Sequence, residues 1–162
     1  MKKSILFVCL GNICRSPLAE GIFAAKIKAL GLEKIVNTDS AGTSDYHIGE
    51  LPDERTLSCA SKNGIIIQHR GRQVHRNDFK EFTYIIAMDH HNKRNLESLK
   101  LTSSEPDKEI HLMRNFSRTS LDLPVPDPYY GGEKDFDEVY RILDEAMEGF
   151  LSHILSKHSL IS

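Results

Sequence analysis

Apolar residues recur along this chain in two alternating rhythms. Ile5 to Cys9 and Tyr84 to Met88 are short unbroken runs, the length and composition of strands buried on both faces. After the first run, Ala19, Phe23, Ile27 and Leu30 follow at helical spacing, with Ser16-Pro17 as N-cap and first-turn signal and Gly31 as the stop. Lys34 to Ser40 predicts a second strand leading into Ala41-Gly42-Thr43, and Asp53 to Lys62 a helix stopped by Asn63-Gly64. Residues 65–76 lack clear periodicity, contain Gly71 and predict a loop. A helix over Asp89 to Leu99 and a weaker fourth strand over Ile110 to Met113 come next. Residues 117–132 carry three prolines and two glycines and predict another loop. The final helix has the clearest pattern, with Phe136, Val139, Tyr140, Leu143, Met147, Phe150 and Ile154 on one stripe.

Strands alternating with helices predict βαβ units and an α/β fold. The expected architecture is three-layered, with helices on both faces of a central four-stranded parallel twisted sheet. No repeat, low-complexity segment or linker interrupts the pattern, so residues 1–162 are expected to form a single domain. Right-handed crossovers place ligand sites at the carboxyl ends of the strands. The turn after the first strand, Ser40 and Asp89 all fall on that rim.

Composition narrows the function classes. Hydrophobic residues make up 40% and charged residues 27%, and the net charge is −2 with Lys and Arg scattered. That balance lacks the basic stripe of a nucleic-acid binder. The apolar run before Gly11 is short for a signal peptide, and no segment approaches the ~20 apolar residues of a membrane span. Three cysteines, an odd number, do not make a disulfide scaffold, so free thiols in the cytoplasm are expected.

One stretch carries the chemistry: "LFVCLGNICRSP", residues 6–17. It sets Cys9, a tight turn of small residues, Cys14 and Arg15 between a buried strand and a helix. Successive backbone N–H groups in such a turn form a nest for an anion, and the helix presents its positive end to the same point. Arg15 adds a planar fork that matches two phosphate oxygens. A site built this way suits a phosphate dianion, and the same field favours thiolate over thiol. Cys9 then reads as a nucleophile aimed at bound phosphorus. The bland reading, a small buried hydrophobe at a strand end, leaves Arg15 unexplained in a tight turn.

The segment "CLGNICRSP" resembles the signature of the low-molecular-weight protein tyrosine phosphatases. The likeness extends over nearly the whole chain through "DSAGTSDYHIG", "HRGRQV", "IIAMDHHN" and "DPYYGG". It implies a phosphate-binding loop of Leu10, Gly11, Asn12, Ile13, Cys14 and Ser16, with Cys9 and Arg15 catalytic. It further implies Asp127 of "DPYY" as general acid and base. Independently, Asp127 lies between Pro126 and Pro128, a stiff setting for one carboxyl, although turn aspartates beside proline are common. The expected activity is hydrolysis of protein phosphotyrosine and small aryl phosphates through a phosphocysteine intermediate, without cofactor or metal. Expected partners are phosphotyrosine-bearing proteins and inorganic phosphate or similar oxyanions, with the enzyme a monomer.

The resemblance also assigns Tyr46, Tyr129 and Tyr130 to the substrate cleft, with Tyr46 where family members often carry Trp. Asn12, Ser16, Ser40 and His69 match a hydrogen-bonded brace behind the loop, which a nest of converging donors requires. On bare sequence Ser16 reads also as a helix cap, and His69 more often as a surface or structural histidine than as a network member. Asp89 reads as an orienting partner of Arg15 and equally as an N-cap. Cys14 could form a reversible disulfide with Cys9, or simply fill the loop. Cys59 reads as core. His90 and His91 invite a metal, but adjacent helical residues diverge by about 100° and no ligand-spaced partner accompanies them.

The same residues discriminate between competing functions. A thioredoxin-coupled arsenate reductase needs relay cysteines, and residues 75–100 contain none. Protein-arginine phosphatases resemble this chain but tend to carry Thr at the position of Ile13 and to lack the paired tyrosines. A phosphate-binding module without turnover remains the non-enzyme alternative, against which stand Cys9, Arg15 and Asp127 together.

Overall fold

A computed structural model describes residues 2–160. Four parallel strands, β1 (Lys3–Cys9), β2 (Val36–Gly42), β3 (Tyr84–Ala87) and β4 (Ile110–Leu112), form one sheet in the order β2-β1-β3-β4. The connecting helices are α1 (Arg15–Ala29), α2 (Glu54–Lys62), α3 (Asp78–Glu81), α4 (His90–Lys100) and α5 (Glu133–Lys157).

The pleat of β1 sorts its side chains into two layers. Ile5, Phe7 and Cys9 join the core beneath α1, α2 and α5, whereas Leu6 and Val8 pack with Ile85, Ala87, Phe79 and Leu96 on the face covered by α3 and α4. Phe7, Phe23 and Phe150 meet at centroid distances of 5.5–6.4 Å. Burying each such ring contributes about 1.5–3 kcal/mol, and the cluster clamps α1 and α5 onto the sheet. Helix α1 ends in a Schellman turn: Gly31 at φ +70° donates to the Lys28 carbonyl and Leu32 to that of Ile27.

The structure bears out the three-layer parallel architecture, with shifted edges. Strand β1 starts at Lys3 because Lys3 N–H bonds the Ile35 carbonyl, and β2 runs two residues further, through Gly42. The short α3 and a 3-10 turn over Met113–Phe116 carry too few residues for a period to be read. Ser16 is not the N-cap of α1. The helix begins at Arg15, Cys14 stands at the cap without a side-chain bond, and the Ser16 hydroxyl is turned elsewhere. Among the described residues no helix is long and apolar enough to cross a membrane.

The strand order has one topological switch, between β1 and β3. The turn after β1 and Asp89 after β3 therefore face the same crevice.

Candidate active site

Residues 9–15 wrap around a single point because their carbonyls are tied outward. Thr43 N–H donates to the Cys9 carbonyl at 2.9 Å, Ser44 N–H to Leu10 at 3.0 Å and Asp53 N–H to Ile13 at 2.9 Å. A planar trans peptide points its N–H opposite to its C=O, so the amides of Leu10, Gly11 and Cys14 face inward. Asn12 completes the curl at φ +58°, a left-handed conformation that asparagine tolerates. Gly42 makes the close approach possible, since a Cβ there would lie 2.7 Å from the Leu10 carbonyl oxygen.

Behind the loop, one backbone amide orders a whole network. Arg72 N–H can only donate, and it bonds Asn12 Oδ1 at 3.0 Å. That fixes the amide of Asn12, whose Nδ2 must donate to Ser16 Oγ at 2.8 Å and Ser40 Oγ at 3.0 Å. Asn12 Oδ1 also meets His69 Nε2 at 2.7 Å, so that nitrogen carries the proton. Ser16 accepts from Asn12 and keeps its own hydroxyl proton for Cys9 Sγ, 3.0 Å away. Ser40 likewise accepts from Asn12 and donates to Glu20 Oε1 at 2.6 Å. All four hydrogen-bonding positions of the buried Asn12 side chain are used.

Glu20 closes this network, and the sequence reading passed over it. Burial pushes its carboxyl up to about 7, and the same burial lowers His69. His69 Nδ1 lies 3.3 Å from Glu20 Oε1 and 3.5 Å from Asp39 Oδ1, and burial disfavours the charged form of both Glu20 and His69. A carboxyl raised in the fold contributes stability fully below its unfolded value near 4.5 and loses it as pH rises through 7. Glu20→Gln is therefore expected to gain on the wild type from pH 5 to pH 8, by up to about 3 kcal/mol in urea unfolding. A pH-independent difference would mean that Glu20 is ionised throughout, paired with a charged His69.

Arg15 is almost completely buried and held from three directions. Its Nη1 donates to Asp89 Oδ2 at 2.7 Å and to the Val125 carbonyl at 2.9 Å, and Nη2 lies 3.6 Å from Asp127 Oδ2. Burial opposes its charge, but Cys9, Asp89 and Asp127 outweigh that and raise it. Asp89 does both things expected of it: its other oxygen accepts from Asn92 N–H at 2.7 Å, capping α4. Val125 N–H in turn bonds the Met88 carbonyl, which docks the proline-rich loop on β3.

A cleft of about 310 Å³ opens above the loop. Cys9, Leu10, Gly11, Ile13, Cys14, Arg15, Asp127 and the rings of Tyr46, Tyr129 and Tyr130 line it. His47 lines it as well; its ring packs beside Gly11 and bonds Glu50 at 2.9 Å. Nothing marked His47 in the sequence beyond its position next to Tyr46. Glu20 did leave a signal, standing four residues after Ser16 and thus on the same face of α1.

Burial pushes the Cys14 thiol up to about 12. Cys59 is buried between α2 and α5, its sulfur 3.5 Å from the Phe136 carbonyl. His90 meets the Asp122 carbonyl at 3.1 Å and His91 meets Asn95. Among the described residues, Glu20, Asp39 and His69 alone have the spacing of metal ligands. Their oxygens already accept from Ser40 and from the Arg72 guanidinium, the pattern of a hydrogen-bonded brace.

Comparison with known proteins agrees with this geometry. Residues 4–160 match the family described as low molecular weight phosphotyrosine protein phosphatase. A Schizosaccharomyces pombe protein of that name is 42% identical over 151 residues, covering 93% of this chain and 96% of its own. A protein tyrosine phosphatase structure from Entamoeba histolytica superposes with a TM-score of 0.88 at 40% identity, over 98% of this chain and all of the other. The Drosophila arginine phosphatase superposes at 0.87 with 34% identity, over 94% and 97%. The loop around Cys9, its brace and its cleft are thus set in a chain that belongs to the low molecular weight phosphotyrosine protein phosphatase family.

Proposed function

We propose that the protein hydrolyses phosphotyrosine in proteins, and small aryl phosphates, through a phosphocysteine on Cys9. The observation that carries this reading is the direction of the buried network: a hydroxyl proton from Ser16 is aimed at the Cys9 sulfur. The inward amides and the Arg15 guanidinium bind the three non-bridging oxygens of the phosphoryl group. The Cys9 thiolate attacks phosphorus in line, and the S–P bond forms as the P–O bond to the phenol breaks. Asp127 gives its proton to the leaving oxygen, then takes one from the water that cleaves the S–P bond. Inorganic phosphate is released and Cys9 returns as thiolate, with the Ser16 bond easing its departure.

Ile13 inside the cage and the aromatic walls at Tyr46, Tyr129 and Tyr130 suit a flat ring and favour phosphotyrosine over the shorter phosphoserine. Phosphoarginine is the second reading, because an arginine phosphatase is among the similar structures. Phosphate release from matched phosphotyrosine, phosphoserine and phosphoarginine peptides, with chelator present, tests the choice. Release from phosphotyrosine alone is expected. Preference for phosphoarginine would overturn the roles given to Ile13 and the tyrosines while leaving the thiolate chemistry in place.

Cys14 supports a protective role towards Cys9. Peroxide would oxidise Cys9 to a sulfenic acid, and the Cys14 sulfur would then form the disulfide with loss of water. Since the thiolate is the attacking species and burial raises Cys14, this closure should quicken steadily as pH rises from 7 to 9. Cys14→Ser is expected to lose recovery of activity by dithiothreitol after peroxide. Unchanged recovery would leave Cys14 as loop filling.

A further inference from the structure

The segment 125–132 that bears Asp127 is gripped at both ends. Upstream, Arg15 holds the Val125 carbonyl. Downstream, Arg55 at the start of α2 donates from Nη2 to the Tyr129 carbonyl at 2.9 Å and from Nη1 to the Gly131 carbonyl at 3.0 Å. The guanidinium is itself fixed by Asp53, with Nε to Oδ1 and Nη2 to Oδ2 both at 3.0 Å, and lies 4.6 Å over the Phe136 ring. Asp53 N–H in turn bonds the Ile13 carbonyl of the phosphate loop. An unbroken chain of contacts therefore runs from the cage to the acid segment without touching Asp127.

We infer that Arg55 is a positioning residue for proton transfer, holding the Asp127 segment in register with the phosphate loop. Tyr129 is the link. Its N–H donates to Asp127 Oδ1 at 3.1 Å while its carbonyl accepts from Arg55, so one residue is held by the carboxylate on one side and the guanidinium on the other. Half-exposed ion pairs add little to stability by themselves. Here the planar fork makes four hydrogen bonds in fixed directions, so its effect is orientation, where misplacement by about 1 Å costs rate steeply.

This inference rests on the proposed acid role of Asp127, and leaving-group chemistry separates the two. Phenyl phosphate expels a basic phenolate that needs a proton, whereas 2,4-dinitrophenyl phosphate expels one that does not. Arg55→Ala is expected to lower kcat/KM on phenyl phosphate on the order of 10-fold, a part of the roughly 10²–10⁴-fold that a general acid supplies. On the dinitrophenyl ester it should change kcat/KM by less than about 3-fold, since kcat/KM excludes the phosphocysteine hydrolysis that both esters share, and inhibition by inorganic phosphate should be unaltered. In the Asp127→Asn background it should add no further loss. Arg55→Lys, which can reach one carbonyl but not hold two, should fall between and serves if the alanine variant does not fold. Equal losses on both esters, or full additivity with Asp127→Asn, would overturn the inference and make Arg55 a fold brace. If Asp127→Asn itself showed no leaving-group dependence, the acid assignment would fail instead.

Discussion

Cys9→Ser is expected to abolish turnover of aryl phosphates, by on the order of 10⁴-fold or more, while the protein still binds inorganic phosphate. The two effects separate because they belong to different atoms. Phosphate is held by the inward amides and by Arg15, whose anchors on Asp89 and Val125 do not involve the sulfur. A serine hydroxyl is far less acidic than a thiol and presents no anion to phosphorus at neutral pH. It also cannot leave readily from the phosphoryl intermediate. Titration with phosphate or vanadate beside single-turnover kinetics reads both quantities. Loss of phosphate binding along with turnover would mean that the sulfur shapes the cage, and the nucleophile would have to be sought elsewhere.

Asp127→Asn is the second large effect, expected to slow phenyl phosphate about 10²–10⁴-fold. Asparagine keeps the shape and can still accept from Tyr129 N–H, so the segment should stay where it is. What it lacks is the transferable proton. The loss in kcat/KM, which reports the leaving-group step alone, should therefore shrink as the leaving phenol becomes more acidic, and phosphate affinity should stay within a few-fold. Removing the negative charge 3.6 Å from Arg15 could even tighten phosphate binding slightly. An equal fall in turnover and binding would refute the acid role.

How much of this could be read from the chain alone depends on how local each signal is. The long stripe from Phe136 to Ile154 and the apolar runs at Ile5 and Tyr84 report burial directly, and they appear where expected in α5, β1 and β3. The phosphate loop is legible because its parts, Cys9 to Ser16, lie within eight consecutive residues. Ser16 was misjudged as an N-cap because a serine before proline is locally a good cap, and only tertiary contact with Asn12 and Cys9 turns its hydroxyl away. Asp53 and Arg55 were missed because each acts on a group distant in sequence, beyond any spacing rule; Arg55, for instance, grips carbonyls 74 and 76 residues away.

The amide of Arg72 has a consequence for how this site tolerates change. The orientation of every proton from His69 to Cys9 descends from a donor that belongs to the main chain. Nineteen of the twenty amino acids carry that donor, and proline alone would delete it. Swapping the Arg72 side chain removes the ion pairs with Asp39 and the buried Asp78, yet the backbone donor to Asn12 is retained. A change at position 72 other than proline thus costs ion pairs behind the loop while the donor that orients Asn12 stays in place.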